Sequence, residues 1–203
     1  MKAAPKTIDG GFVVVFEGID GVGKTTQLGL VREELEKDRW AVHPTRNLGG
    51  TPIGEALREV TLSSTPRSVM TDFYISVAIQ TAMAEAVAAD RKEGKITLID
   101  RGPLSFAAYH MYGSGVDQKV GWRYVDQGMK QFKPDLVILY NADLKVALGR
   151  AKRRAGKADY FASKPESYFQ RVLAGFKAAK ERYPVCEIDA AQDIDSVHAE
   201  TMR

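Results

Sequence analysis

The sequence predicts an α/β fold, a single parallel sheet of five strands with helices packed on it. Three observations support this. Five short runs rich in β-branched and apolar residues recur along the 203 residues. Each run is nearly continuous rather than alternating, as strands covered on both faces should be. Helical stretches separate the runs, and strands alternating with helices imply right-handed crossovers between parallel neighbours.

The first strand is expected at Phe12–Phe16, followed by a glycine-rich turn and a helix over Thr25–Lys37, where Leu28, Val31 and Leu35 recur at helical spacing. Trp40–Pro44 reads as the second strand, and the Ala-rich stretch Thr71–Arg91 as a long helix. Ile96–Asp100, Leu136–Tyr140 and Val185–Asp189 complete the set. No internal repeat, low-complexity tract or composition break marks a linker. One domain over 1–203 is the expectation, since a chain of this size can bury an adequate core.

Composition narrows the function classes. A net charge of +3 is too slight for a nucleic-acid footprint, which needs clustered basic charge. No run approaches the ~18 apolar residues of a membrane helix, and Met1–Gly11 lacks the apolar stretch of a signal peptide. A cytoplasmic protein with neither membrane nor nucleic acid as partner is therefore expected. The lone Cys186 excludes a disulfide frame and, within Val185-Cys186-Glu187-Ile188, reads as a buried structural thiol. His43, His110 and His198 are scattered without ligand spacing, and no catalytic role is assigned to them. Basic residues are uneven: Arg150–Arg182 holds ten Lys/Arg against three Asp/Glu.

The strongest chemical signal follows the first strand. Gly18-Ile19-Asp20-Gly21-Val22-Gly23-Lys24-Thr25 fits G-x-x-x-x-G-K-S/T, placed between a strand and a helix, with Thr26 continuing into that helix. Glycines let backbone N–H groups converge on phosphate oxygens, and the helix N-terminus adds partial positive charge. Lys24 is expected on the β/γ-phosphates of ATP and the Thr25 hydroxyl on Mg²⁺. Ile96-Thr97-Leu98-Ile99-Asp100 is an apolar strand ending in a carboxylate, so Asp100 is the second expected Mg²⁺ residue. Strand C-terminal ends are where open α/β sheets bind ligands. These features define a P-loop nucleotide-binding fold.

Phe16-Glu17-Gly18-Ile19-Asp20-Gly21-Val22-Gly23-Lys24-Thr25-Thr26-Gln27 resembles the P-loop of the thymidylate kinase family. Later segments resemble that family in the same order. Thr45-Arg46 with Gly49-Gly50-Thr51-Pro52-Ile53-Gly54-Glu55 is similar to T-R-E-P-G-G-T-P-x-G-E, and Asp100-Arg101 with Ser105, Ala108 and Tyr109 to D-R-Y-x-x-S-x-x-A-Y. Pro134-Asp135-Leu136 and Tyr168-Phe169-Gln170-Arg171-Val172 follow. The resemblance implies phosphoryl transfer from ATP to a deoxynucleoside monophosphate, in a homodimer packed through helices such as Thr71–Arg91. It implies that Arg101 grips the acceptor phosphate, Asp20 meets the sugar hydroxyl and Arg46 belongs to the substrate site. Ser105 and Tyr109 would line the nucleoside pocket, with Phe73 or Tyr74 stacked on the base.

Position 21 is Gly rather than Arg, and family members of that kind take the catalytic arginine from a lid. Arg150, Arg153 and Arg154 are the candidates, in a short basic lid over about 150–165. The chain also departs from the pattern. Asn47-Leu48 stands where the family has Glu-Pro, and Gly102 where it has Tyr. Aligning F-A-A-D-R-A-Q with Tyr74–Gln80 places Ala78 at the base-reading arginine. Transfer to dTMP is the first expectation. A kinase for another pyrimidine monophosphate and a nucleotide-binding module without transfer remain the alternatives.

Overall fold

In a computed structural model that describes residues 4–63, 65–154 and 164–203, β1 (Phe12–Glu17) lies at the centre of a five-stranded sheet. The remaining strands are β2 (Val42–Arg46), β3 (Ile96–Asp100), β4 (Leu136–Asn141) and β5 (Cys186–Asp189), in the order β2-β3-β1-β4-β5, every pair parallel. Val13, Val14, Val15 and Phe16 of β1 are all buried, as are Leu98, Ile99, Ile138 and Leu139 beside them. Burial on both faces explains why these strands read as continuous apolar runs.

Eight helices flank the sheet among the described residues. They are α1 (Lys24–Lys37), α2 (Pro52–Leu62), α3 (Val69–Lys92), α4 (Pro103–Phe106), α5 (Gln118–Phe132), α6 (Leu144–Arg154), α7 (Glu166–Arg182) and α8 (Ile194–Thr201). α4 runs directly into a π-helical segment, Ala107–Gly113, against which α7 packs. Caps set the starts of the two helices that border the cleft. Thr51 Oγ1 accepts from the Gly54 N–H and Pro52 opens α2, while Ser68 Oγ accepts from the Thr71 N–H at the start of α3.

Two expectations need correction. β2 begins at Val42 rather than Trp40, because Trp40 makes only an isolated bridge to Lys6. Pro44 is tolerated inside β2 because the strand lies at the sheet edge. Cys186 is exposed rather than buried. β5 is the opposite edge strand, and along it only Ile188 turns fully into the core.

Candidate active site at the carboxyl ends of β1 and β3

The chain leaves β1 at Glu17 and turns sharply through Gly18–Gly23 into α1. At Gly21, with φ +86°, a Cβ would fall 1.9 Å from the Ala147 carbonyl oxygen of α6. No side chain fits there while α6 holds its place, which accounts for a loop without an arginine of its own. Lys24 begins α1 and is buried, its Nζ donating to the Ile19 carbonyl at 2.8 Å within the loop. Burial, and then the neighbouring Arg101 charge, push the Lys24 ammonium down to about 8 against the pull of Asp100, Asp20 and Glu17. Thr25 follows with its hydroxyl donating to Asp100 Oδ2 at 2.6 Å. The P-loop and the end of β3 thus meet where the sequence expects a phosphate-bound cation. Thr26 is exposed on the first turn of α1.

Arg101 leaves β3 in a left-handed conformation, φ +71°, that costs a non-glycine residue of order 1–3 kcal/mol. Several contacts hold it there. Its N–H donates to Phe16 O at 2.9 Å, and its guanidinium donates to Gly18 O at 2.8 Å and Asp20 Oδ1 at 2.6 Å. It also reaches Ser105 Oγ at 3.2 Å and Tyr109 Oη at 3.3 Å, and lies 4.9 Å from the Tyr109 ring centroid. Tyr109 Oη in turn donates to Asp20 Oδ2 at 2.9 Å. Burial would raise the Asp20 carboxyl, but the charges of Arg101 and Lys24 and the hydrogen bonds from Tyr109 and Arg101 outweigh it and hold it well below the usual range. Asp20 is therefore an anion at any physiological pH.

Beneath this layer lies Glu17, fully buried. Its Oε1 accepts from the N–H groups of Gly102, Leu104 and Ser105 at 3.0, 3.0 and 3.1 Å, and the Ser105 hydroxyl donates to its Oε2. These N–H groups belong to the first turn of α4, which has no side-chain cap, so Glu17 supplies the acceptor at that helix start. Burial raises its carboxyl above the ordinary value despite the donors from Ser105 and the Arg101 charge.

A cleft of about 260 Å³ opens from Asp20, Thr25, Asp100 and Arg101 and runs between α2, α3 and the α4 segment. Arg46 and Ser105 line it as expected, as does Tyr109. Arg46 is gripped through both oxygens of Glu55, at 3.1 and 3.0 Å, and Glu55 also accepts from the Gly50 N–H at 2.8 Å. The Asn47-Leu48 departure has its own support. Asn47 Oδ1 accepts from the Leu48 N–H at 2.8 Å, and Arg58 donates to the Leu48 carbonyl, which steadies Leu48 at φ +58°.

The base-stacking assignment does not hold. Phe73 is fully buried among Tyr74, Phe106, His110 and Tyr124, and Tyr74 is 53% exposed; neither lines the cleft. Ala78, set at the base-reading position, also lies on the exposed side of α3. Residues two apart on a helix point some 200° away from each other. Asp72 and Ser76 are the α3 residues that face the cleft, offset by two from Tyr74 and Ala78. Phe106 and His110 face it from the α4 segment. These four, with Glu17 and Glu55, were not assigned from the sequence. For the four the only signal is two i, i+4 pairs, Asp72/Ser76 and Phe106/His110, each marking one helical face.

Of the lid candidates, Arg150 donates to the Ala190 carbonyl at 2.8 Å and so ties α6 to the end of β5. Arg153 is exposed on α6, and Arg154 is the last residue of that helix. Most of the expected lid, residues 155–163, lies outside the described residues. Among the described residues no group of three His, Cys, Asp or Glu could hold a metal by itself, and no helix is long and apolar enough to cross a membrane.

A P-loop at the centre of a parallel sheet, with an arginine hydrogen-bonded to that loop at the head of a cleft, defines a P-loop phosphotransferase. Comparison with known proteins narrows the class. The thymidylate kinase family model matches residues 16–201. A thymidylate kinase of Pelotomaculum thermopropionicum is 32% identical over 200 residues, covering 95% of this chain and 92% of its own. Thymidylate kinases of Shewanella sp. strain MR-4 and of an Exiguobacterium sp. are 34% and 33% identical, covering 93% and 95% of this chain and 92% of their own. The chain belongs to the thymidylate kinase family of nucleoside monophosphate kinases, which use ATP to phosphorylate dTMP.

Proposed function

We propose that this chain carries out that reaction with the residues gathered here. An oxygen of the dTMP phosphate attacks the γ-phosphorus of ATP, the bond to the β–γ bridging oxygen breaks, and dTDP and ADP leave. The observation that carries the reading is the placement of Arg101. It is half-buried, permanently charged, and fixed between the P-loop carbonyl of Gly18 and the cleft. A cation so fixed can hold the acceptor phosphate in line with the donor without reorganising during transfer.

Each remaining role follows from position. Gly18–Thr26 wrap the ATP phosphates, and Lys24 exchanges its bond to Ile19 for a phosphate oxygen. Thr25 and Asp100 present neighbouring oxygens, the donor type a hard cation prefers, and fit the Mg²⁺ that accompanies ATP. When bound, that ion neutralises phosphate charge. Asp20 and Tyr109 form a sugar-facing pair, and Arg46, braced by Glu55, adds a second cation beside the acceptor. The closing cation is assigned to Arg153 or Arg154, since Arg150 is already engaged on β5.

The exposed apolar side chains Val69, Met70 and Tyr74 at the start of α3 support a homodimer packed through that helix. A cytoplasmic location suits an enzyme whose donor is ATP. The test of function is coupled ADP release across a panel of nucleoside monophosphates. Release with dTMP supports the proposal, release only with another base moves the substrate, and no release leaves a nucleotide-binding module. A kinase for another pyrimidine monophosphate is favoured by one observation, the absence of a basic residue on the cleft-facing side of α3.

A further inference from the structure

We propose that His110 and Ser76 read the polar edge of the pyrimidine base, taking the place of the arginine that the family pattern sets on α3. The inference rests on the acceptor reading above and names the residues behind base choice. Ser76 is only 4% exposed, lines the cleft, and makes no hydrogen bond to any described residue. Its hydroxyl therefore has both donor and acceptor capacity left for a ligand group that enters the cleft. His110 also lines the cleft and makes no hydrogen bond to a described residue. Its ring is clamped instead by Phe106 at 4.7 Å and Phe73 at 5.9 Å between centroids. The aromatic wall fixes the ring plane while leaving its nitrogens to the cleft.

The chemistry of the pair suits an imide edge. Burial pushes the His110 imidazole down to about 4, against the pull of Asp72, so it is neutral at physiological pH and offers one donor and one acceptor. A hydroxyl offers the same choice. Thymine presents an N3–H donor beside an O4 acceptor, which a neutral histidine and a serine can satisfy together. Asp72 lines the same wall, with its Oδ1 accepting from Arg67. An acceptor-only carboxylate there favours a base that brings a ring or amino N–H, and disfavours bare acceptor edges. Phe106, though mostly buried, adds apolar surface to the cleft wall, which Phe73 does not reach.

The test compares KM values for the acceptor and for ATP in wild type, His110→Leu, His110→Gln and Ser76→Ala, with dTMP, dUMP, dCMP, dAMP and dGMP. His110→Leu should raise KM for the accepted nucleotide at least about tenfold and narrow the preference among bases, because the edge loses its partner. KM for ATP should move by less than about threefold, as uniform acceptor binding is what was removed. His110→Gln, which keeps a donor and an acceptor, should recover much of the loss, and Ser76→Ala should cost about threefold. An acceptor KM within threefold of wild type in His110→Leu, or a parallel rise in both KM values, overturns the inference while leaving the kinase reading intact. If wild type turns over none of the panel, the kinase reading fails. Calorimetric titration of dTMP then decides the inference alone: weaker binding to His110→Leu supports it, and equal or undetectable binding to both proteins overturns it.

Discussion

The two ends of the cleft are built differently. At the phosphate end Asp20, Arg101, Ser105 and Tyr109 hydrogen-bond one another, and Glu17 ties them to the backbone of α4. At the base end Ser76 and His110 make no hydrogen bond to a described residue, and apolar packing alone holds the imidazole. The difference follows from what each end must do. Phosphates are the same in every nucleotide and carry strong charge, so cations fixed in advance serve transfer best. A base is distinguished by a few neutral donors and acceptors, so the groups that read it must be left for the ligand. Rigid charge at one end and unclaimed polarity at the other separate catalysis from selection.

The largest expected effect falls at the rigid end. Lys24→Ala should lower turnover by at least about a hundredfold, the ~3 kcal/mol typical of losing one preorganised donor to transition-state charge. The folded state should survive, because a buried ammonium that burial disfavours is replaced by a methyl group at the start of α1, after a loop braced by α6. Steady-state kinetics beside thermal melting measures both. Near-normal turnover in a folded variant would mean that the P-loop does not carry the chemistry.

Arg101→Ala should be next, raising KM for dTMP by roughly ten- to a hundredfold and lowering turnover, with ATP affinity changed much less. Its guanidinium also neutralises Asp20, so the variant leaves a carboxylate facing the acceptor and adds repulsion to the lost contact. Separate titrations of the two nucleotides settle the matter. Equal loss of both affinities would place Arg101 with the donor and erase the contrast between the two ends.

Sequence legibility follows the same division. The phosphate end was readable because its parts are consecutive: Gly18–Thr25 is one loop, Asp100-Arg101 one strand end, and Ser105 and Tyr109 lie a turn apart on the segment that follows. The base end depends on which side of α3 faces inward, and a shift of two positions reverses that side. Phe73 and Tyr74 looked suitable as aromatics, yet one belongs to the core and the other to the surface. Glu17 went unassigned because nothing in Phe-Glu-Gly announces that three N–H groups some 85 residues later will converge on it. Strand positions were legible to within two residues, since burial on both faces writes itself as a continuous apolar run. Edge strands were less so, as the exposed Cys186 shows.

Titration sharpens the contrast further. Lys24 is held near 8 by burial and by Arg101, and only its charged form pairs with the triphosphate. As pH rises through 8 the free enzyme loses that proton, so kcat/KM for ATP should fall about tenfold per pH unit on the alkaline side. Bound phosphate raises the Lys24 pKa, so kcat itself should hold to higher pH. At the base end the neutral His110 sits near 4 and should add no break between pH 6 and 9. A kcat/KM profile for ATP that stays flat to pH 9.5 would show that the ammonium is not depressed.

The smallest effect is expected at Arg150, the first of the three arginines of α6. Arg150 spends its guanidinium on the Ala190 carbonyl, a bond that joins α6 to the turn after β5. α6 in turn seats the Ala147 carbonyl against Gly21, so Arg150 influences the P-loop only through helix placement. Arg150→Ala should therefore change turnover by less than about threefold and cost about 1 kcal/mol of stability, the usual worth of one part-buried hydrogen bond. Arg153→Ala and Arg154→Ala bear on the expected lid, and one of them should lower turnover far more than it changes ATP affinity, because a contact completed in the transition state acts on kcat. Kinetics on all three variants, with melting curves for each, ranks them. A large turnover loss in Arg150→Ala with unchanged melting would move the catalytic cation to that side chain, and with it the rigid end of the cleft would extend onto α6.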